Sequence, residues 1–185
     1  MKISDINWLF NKYYGENPEL KRIVWEHSFH VAKKALKINE IKNLKLDPMD
    51  VYVASMLHDI GVVNCNAPDI QARGVLPYLQ HGLEGEKMLN ENGLKKFARI
   101  CVTHIGAGIT AKEISSNNLP LPQKDFLPQT TLEKLICYCD KFFSKSHDLS
   151  REKTLEEVLA QMKKFGEGPF QRFLSLHRQF GLEVQ

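Results

Sequence analysis

Ala54-Ser55-Met56-Leu57-His58-Asp59-Ile60-Gly61 sets a histidine and an acid side by side where an apolar run ends, with a glycine almost immediately after. Upstream, Asp47-Pro48 has the form of an N-cap followed by a first-turn proline, and Val51, Ala54 and Leu57 continue at helical spacing. The pair is therefore read at the C-terminus of a helix that Gly61 is placed to end. A carboxylate beside core residues is costly unless positive charge meets it, and a metal ion is the strongest candidate for that charge.

Working outward, nearly every segment carries a helical period or a helix boundary. Leu20, Val24, His27, Val31, Ala35 and Ile38 recur in steps of three or four, so His27 faces inward from an amphipathic helix. His81-Gly82 leads into a short helix through Leu83, Met88 and Leu89 that stops around Asn92-Gly93, and another runs from about Leu94 to His104 before Gly106-Ala107-Gly108. Thr130 with Glu133 has the form of a capping box opening a helix from Leu132 to Phe143, in which Asp140 follows Ile136 by four and faces the core. Thr154 to Lys164 and Gly168 to Phe180 read as the last two helices. No strand-like alternation bounded by turn signals appears, so the expected fold class is all-α, a single-domain helical bundle over residues 1–185. Two stretches, Asn64 to Gln80 and Asn117 to Pro128, break the pattern with prolines and read as surface connections or lids over a site.

Composition narrows the function classes. A chain of 185 residues fits one domain able to bury roughly 70% of the surface its unfolded form would expose. Its 43% hydrophobic and 25% charged residues exclude collagen-like, disordered and membrane classes. The net charge of +3 and pI of about 8.6 come without a clustered Lys/Arg stripe, so no dedicated nucleic-acid partner is expected, whereas small anionic substrates fit. Met1 to Phe10 lacks the apolar region of a signal peptide, and no apolar run approaches the ~20 residues that span a bilayer, so a cytoplasmic protein without membrane contact is expected. Cys65, Cys101, Cys137 and Cys139 form no C-x-x-C pair and read as small core residues, which argues against a thiolate zinc site.

The chemistry lies in the set His27, His58, Asp59, His81, His104 and Asp140: imidazoles at four helix-associated places and carboxylates at two, on segments able to converge in a bundle core. All are N or O donors, which suits Fe, Mn, Co, Ni or Zn. Six donors exceed what one ion with an open position requires. Two ions sharing a bridging carboxylate, about 3.5–4 Å apart with a hydroxide between them, is the simpler arrangement. His30, three residues after His27, could share its face, while His147 and His177 have no motif context and read as surface or local hydrogen-bonding groups. Lys141, beside Asp140, and Arg73, before His81, are the candidates to contact a phosphate. Glu84 is a possible proton donor, and Gly106 and Gly108 most economically end the preceding helix.

His27-Ser28-Phe29-His30-Val31-Ala32, His58-Asp59-Ile60-Gly61, and then His81, His104 and Asp140 in that order make a sequence that resembles the HD-domain superfamily of metal-dependent phosphohydrolases in its HDIG form. Thr103 to Ile109 and Tyr138-Cys139-Asp140 are similar to a group of archaeal and bacterial HDIG proteins, and the resemblance covers about Trp25 to Phe143. It implies a helical HD domain and two divalent transition-metal ions, Fe or Mn foremost. One ion would be held by His27, His58, Asp59 and Asp140, the other by His81, His104 and the second oxygen of Asp59, making Asp59 the catalytic bridge. It also implies hydrolysis of a small phosphorylated compound, nucleotides included. Some members of the superfamily use such a site for di-iron oxygenase chemistry, and a nucleotide-sensing module without turnover is disfavoured by the complete donor set. Two positions depart from the family pattern: Val62 stands where many relatives carry a basic residue that holds substrate phosphate, and Ile105 where they often carry a second histidine.

Overall fold

The computed structural model describes residues 3–146 and 148–182. The expectations for Met1, Lys2 and His147 fall outside them. In chain order the helices are α1 (Ile3–Tyr14), α2 (Pro18–Ile41), α3 (Pro48–Leu57), α4 (His81–Glu91), α5 (Lys95–Thr103), α6 (Ala111–Ser116), α7 (Thr131–Asp140), α8 (Leu155–Lys164) and α9 (Glu167–Phe180). The all-α class holds, with one small addition between α3 and α4.

The helix starts follow their caps. The Asn17 side chain accepts from Leu20 N and that of Asp47 from Met49 N, each followed by proline at the first helical position. α3 is the centre of the bundle, with Val51, Val53, Ala54, Ser55, Met56 and Leu57 all buried, as expected of a helix that is apolar nearly all round. α2, α5 and α7 pack around it. α1 carries no such cap signal and was not expected, yet Ile6, Leu9, Phe10 and Tyr14 form its buried stripe. The Tyr14 hydroxyl donates to Ile60 O at 2.9 Å, with Asp59 O at 3.2 Å, so α1 ties down the backbone just after α3.

Several local readings need correction. Gly61 does not end α3: the helix stops at Leu57, His58 is its C-cap, and Gly61 lies within a 3-10 turn over Ile60–Asn64. A Cβ at Gly61 would fall 2.2 Å from His81 O and 2.4 Å from Gly85 N, so the glycine is there to let the turn lie directly against α4. Thr130 caps α7, but the Glu133 carboxylate accepts from Gln129 N at 2.7 Å rather than from Thr130, so the reciprocal box is incomplete, and α7 ends at Asp140 instead of Phe143. A complete box occurs instead at Thr110 and Glu113, opening the unforeseen α6.

The stretch from 64 to 80 is ordered as a three-stranded sheet: β1 (Cys65–Ala67), β2 (Ala72–Arg73) and β3 (Leu76–Pro77), in the order β2-β1-β3. β1 pairs antiparallel with β2 and parallel with β3. Strands of two or three residues are too short to display alternation, which is why no strand pattern is visible in the sequence. The 117–128 stretch packs Phe126 into a second, smaller hydrophobic cluster with Val102, Ile109 and Ile114, and pairs Phe126 with Ile109 through two backbone hydrogen bonds.

Because the atoms facing Gly61 are backbone, Gly61→Ala forces the turn away from α4 instead of displacing a flexible side chain. Overpacking of a tight site costs about 1–3 kcal/mol and sometimes more. The expected outcome is a loss of at least about 2 kcal/mol in denaturant unfolding; a variant as stable as the parent would show that the contact is not tight.

Candidate metal centre

The six candidate donors come from five different regions of the sequence, and the fold brings them together, five of them at or beside helix ends. His58 caps the C-terminus of α3, His104 caps that of α5, and Asp140 is the last residue of α7. Three helix C-termini thus point their negative dipole ends at one place, which favours a cation there. His81 is the first residue of α4, and His27 lies on the buried face of α2. His27, His58 and Asp59 are 0% exposed, and His81, His104 and Asp140 are also buried.

Asp59 is the hub. Its Oδ2 lies 3.2 Å from His27 Nε2 and 3.0 Å from His58 Nε2, while its Oδ1 lies 3.3 Å from His81 Nε2 and 3.4 Å from His104 Nε2. Asp140 Oδ1 joins the first group, 3.0 Å from His27 Nε2 and 3.4 Å from His58 Nε2. Two sets could each hold one ion: His27, His58, Asp59 and Asp140, and Asp59, His81 and His104, each with its donor atoms within 4.8 Å of one another. One carboxylate oxygen faces each set.

The tautomers explain why these groups face one another. His58 Nδ1 lies 2.6 Å from Ser55 O, His81 Nδ1 2.6 Å from Tyr78 O, and His104 Nδ1 3.1 Å from Ile100 O. A carbonyl only accepts, so each Nδ1 carries the proton and, in the neutral ring, Nε2 presents a lone pair to the cluster. Yet His27 and His58 approach Nε2 to Nε2 at 3.3 Å, and His81 and His104 at 3.2 Å. Both oxygens of Asp59 are buried without an aligned hydrogen-bond donor. Lone pairs crowded on a desolvated carboxylate repel unless a cation lies among them, so the donor set fits divalent metal, and the Nδ1 bonds are the kind of outer support that orients metal-binding imidazoles.

Electrostatically, the two carboxylates draw positive charge from their neighbours. Burial works against ionisation of Asp59, but His58 and Lys145 hold its carboxyl well below the usual range, and Lys141 and Lys145 do the same for Asp140. Burial would lower His58, but Asp59 and Asp140 outweigh it and raise the imidazole to about 9. His81 is pushed down to about 3 by burial, against the pull of Asp59, and His104 is lowered by burial too.

Lys145 is the residue that the sequence reading missed. Its Nζ stands 2.6 Å from Asp59 Oδ2, at an angle that makes an ion pair rather than an aligned hydrogen bond, and its side chain is 13% exposed. Burial opposes its charge, but Asp59, Tyr78 and Asp140 hold its pKa well above the ordinary lysine value. Lys141 pairs with Asp140 Oδ2 at 2.6 Å. Both lysines, with Lys153, line a cleft of about 510 Å³ that opens over His81, His104 and Asp140. Tyr78 joins them on the cleft wall, its ring 4.8 Å from that of His81.

Other expectations fare differently. Arg73 is exposed on β2, 3.4 Å from Gln71 Oε1, and does not line the cleft: the two-residue alternation of its strand turns Ala72 inward and Arg73 out. Glu84 accepts from Asn64 and is likewise outside the cleft lining. His30 stacks on Phe143 instead of joining the cluster. His177 Nδ1 lies 2.9 Å from the Tyr138 hydroxyl, bridging α9 to α7. All four cysteines are buried and free; the Cys101 thiol donates to Leu57 O at the end of α3, and that of Cys137 to His104 O. Val62 is fully buried in the main core, so that position offers the cleft nothing, whereas Ile105 lines it. Among the described residues, no helix is long and apolar enough to cross a membrane.

Comparison with known proteins bears on the same residues. The HD domain family model matches residues 24–144. The uncharacterized protein MJ0778 of Methanocaldococcus jannaschii is 36% identical over 121 residues, covering 63% of this chain and 64% of that protein. A tRNA (cytidine(56)-2'-O)-methyltransferase of Picrophilus torridus is 27% identical over 154 residues, covering 78% of this chain and 41% of the relative. The chain thus spans less than two thirds of the length of each of these relatives. Among solved structures, the HD domain of the L. monocytogenes phosphodiesterase PgpH superposes with a TM-score of 0.56 at 17% identity, covering 93% of this chain and 94% of that one. Its complex with cyclic-di-AMP superposes with a TM-score of 0.53 at 16% identity, covering 96% and 99%. At such identity the superposition speaks for the fold, and the family match, running from α2 to just beyond α7, covers every candidate donor: the chain belongs to the HD-domain superfamily of metal-dependent phosphohydrolases.

Proposed function

We propose that this protein hydrolyses a small phosphorylated compound of nucleotide type at a dinuclear metal site. The observation that carries the reading is the Asp59 carboxylate, which turns Oδ2 to His27 and His58 and Oδ1 to His81 and His104. In this reading His27, His58, Asp59 and Asp140 would hold one divalent ion and Asp59, His81 and His104 the other; the N/O donor set suits Fe, Mn, Co, Ni or Zn, and the family resemblance puts Fe or Mn foremost. The whole chain is read as one HD domain. When bound, the ions supply Lewis acidity towards a phosphoryl oxygen and acidify the attacking water.

The protein's own part is positioning and charge. The Nδ1 bonds of His58, His81 and His104 fix ring orientation, so the lone pairs stay aimed without rearrangement. Lys141, Lys145 and Lys153 give the cleft a cationic wall for the developing charge on a phosphoryl group. Lys145 takes the part that a basic residue after the HDIG glycine plays in many relatives, which the buried Val62 cannot. The structural neighbour named as a phosphodiesterase, one copy of which holds cyclic-di-AMP, supports a nucleotide-type ester. Methyl transfer, named for two relatives of which this chain spans 41% and 53%, gains no support from the His/Asp cluster.

Elemental analysis of protein purified without chelators is expected to give two transition-metal ions per chain. Asp59→Ala should lose both, whereas His104→Ala should mainly empty one position, helix content by circular dichroism being retained in each. One ion in fully loaded protein, with occupancy insensitive to His104, reduces the site to a mononuclear one.

Lys145→Met separates charge delivered to substrate from metal binding. It should lower kcat/KM for phosphate esters by roughly a hundredfold, the order seen when one preorganised charge-stabilising donor is removed, with metal content unchanged. Unaltered turnover would remove Lys145 from the site's chemistry.

Hydrolysis and oxidation part company under anaerobic conditions. Apoprotein reconstituted with Mn²⁺ should turn over a phosphate-ester panel without oxygen, and product phosphate should carry solvent oxygen if water attacks phosphorus. Inactivity there, together with iron-dependent O₂ consumption on an organic substrate, favours the di-iron oxygenase instead.

A further inference from the structure

Beside the cleft lies a second cavity of about 370 Å³ that shares Leu79, Ile105, Gly106 and Phe165 with it as lining residues. Its character differs. Where the cleft has lysines and carboxylates, this annex is walled mainly by Leu79, Ile105, Ile109 and Phe165. It rests on the small hydrophobic cluster of Val102, Ile109, Ile114 and Phe126, which the fold keeps separate from the main core.

Phe165 is the part of this annex that packing leaves unexplained. It lies on the short turn between α8 and α9, the residue is 56% exposed, and neither hydrophobic cluster includes it. Among the described residues no other aromatic ring stacks on it.

The annex is also held in shape. Arg172, on α9, donates through Nε to Ala107 O at 3.1 Å and through Nη2 to Gly108 O at 2.9 Å, and pairs with the Glu113 carboxylate at 2.8 Å. These bonds clamp α9, and with it the turn that carries Phe165, to the loop after α5 and to α6. Ile105 lies in that same loop, so the two walls meet at a fixed separation instead of collapsing together. A preformed apolar pocket next to a cationic, metal-capable cleft is built for a ligand with a charged end and a flat apolar end.

We propose that the annex receives a planar aromatic group of the substrate, with Phe165 as the stacking surface that determines specificity. It rests on the reading of the adjoining cleft as a phosphoester site. The ligand class that follows is a nucleoside phosphate with its base in the annex and its phosphate towards Lys141 and Lys145. Sugar phosphates without a base leave the annex unfilled and are poor substrates. Ile105, where relatives often have a histidine, is then an aliphatic wall for the ring.

The test compares nucleoside 5'-monophosphates with ribose 5-phosphate on the Mn²⁺-loaded protein. The ratio of kcat/KM values should favour nucleotides by about tenfold or more, fall about tenfold in Phe165→Ala, and be retained in Phe165→Tyr, which keeps the ring. Saturation-transfer NMR with adenosine, which has no ester to hydrolyse, gives an independent readout: transfer to the base protons is expected, lost in Phe165→Ala and kept in Phe165→Tyr. If adenosine behaves so but no ester is hydrolysed, the annex stands and the hydrolase reading fails. If esters are hydrolysed but the ratio and the adenosine signal are the same with and without the Phe165 ring, the annex proposal is overturned and hydrolysis stands.

Discussion

Asp59 is buried with both carboxylate oxygens lacking an aligned donor, and the structure around it is arranged to deliver positive charge there. Desolvating an unpaired carboxylate costs several kcal/mol or forces its neutralisation, so a fold that keeps one at its centre must supply compensation from outside the apolar core. Part comes from the protein itself through Lys145, while the C-termini of α3, α5 and α7, which converge there with their negative dipole ends, add to the demand for a cation. The backbone following the aspartate is fixed by Tyr14 from α1, and the close seat of Gly61 against α4 brings His81 to the same carboxylate. Helix packing and site geometry are therefore one problem with one solution.

What was legible in the sequence follows from where each residue lies relative to a helix. His27 shows itself by phase on a long amphipathic helix, and Asp140 by its place four residues after Ile136, whereas His58 and His104 show because helix ends are marked by periodicity stopping. Lys145 escaped because it follows the end of α7 in an irregular stretch where no period assigns a side chain a direction; Lys141, one residue after Asp140, was found by adjacency alone. Arg73 was misassigned for a related reason: a two-residue strand is invisible as a pattern, yet its alternation turns the arginine outward. Gly61 was read as a helix stop because glycine commonly serves so, whereas its real constraint, contact with the backbone of His81 and Gly85, is tertiary and leaves no local trace. α1 shows the reverse case, a clear buried stripe without the cap-and-proline signature that announces α2 and α3.

The imidazoles illustrate how a site is made rigid by groups that never touch its centre. Three of the four spend their Nδ1 protons on carbonyls within their own local turns, at Ser55, Tyr78 and Ile100. Those carbonyls lie in or next to the turns from which the histidines project, so ring orientation is inherited from secondary structure. The thiols of Cys101 and Cys137 meet further carbonyls at Leu57 and His104 in the same region. Small buried cysteines thus fill space and satisfy backbone acceptors at the helix ends that carry the donors, which is why they are absent from the donor set itself.

The two departures from the family pattern point the same way. At Val62 a polar contact is lost because the side chain belongs to the main core, and the cleft's cations come from Lys141, Lys145 and Lys153, all on the opposite, C-terminal side of the sequence. At Ile105 a position that could bear another imidazole instead joins Leu79 and Phe165 as apolar wall. Neither change reaches the Asp59 hub, so in the proposed reading the donors for metal and the walls that select substrate are different residues. The hub is set by helix ends converging on a buried charge, which tolerates little change. The walls are set by a loop, a turn and one arginine clamp, where substitution would alter the shape of the cavity without disturbing the donor cluster.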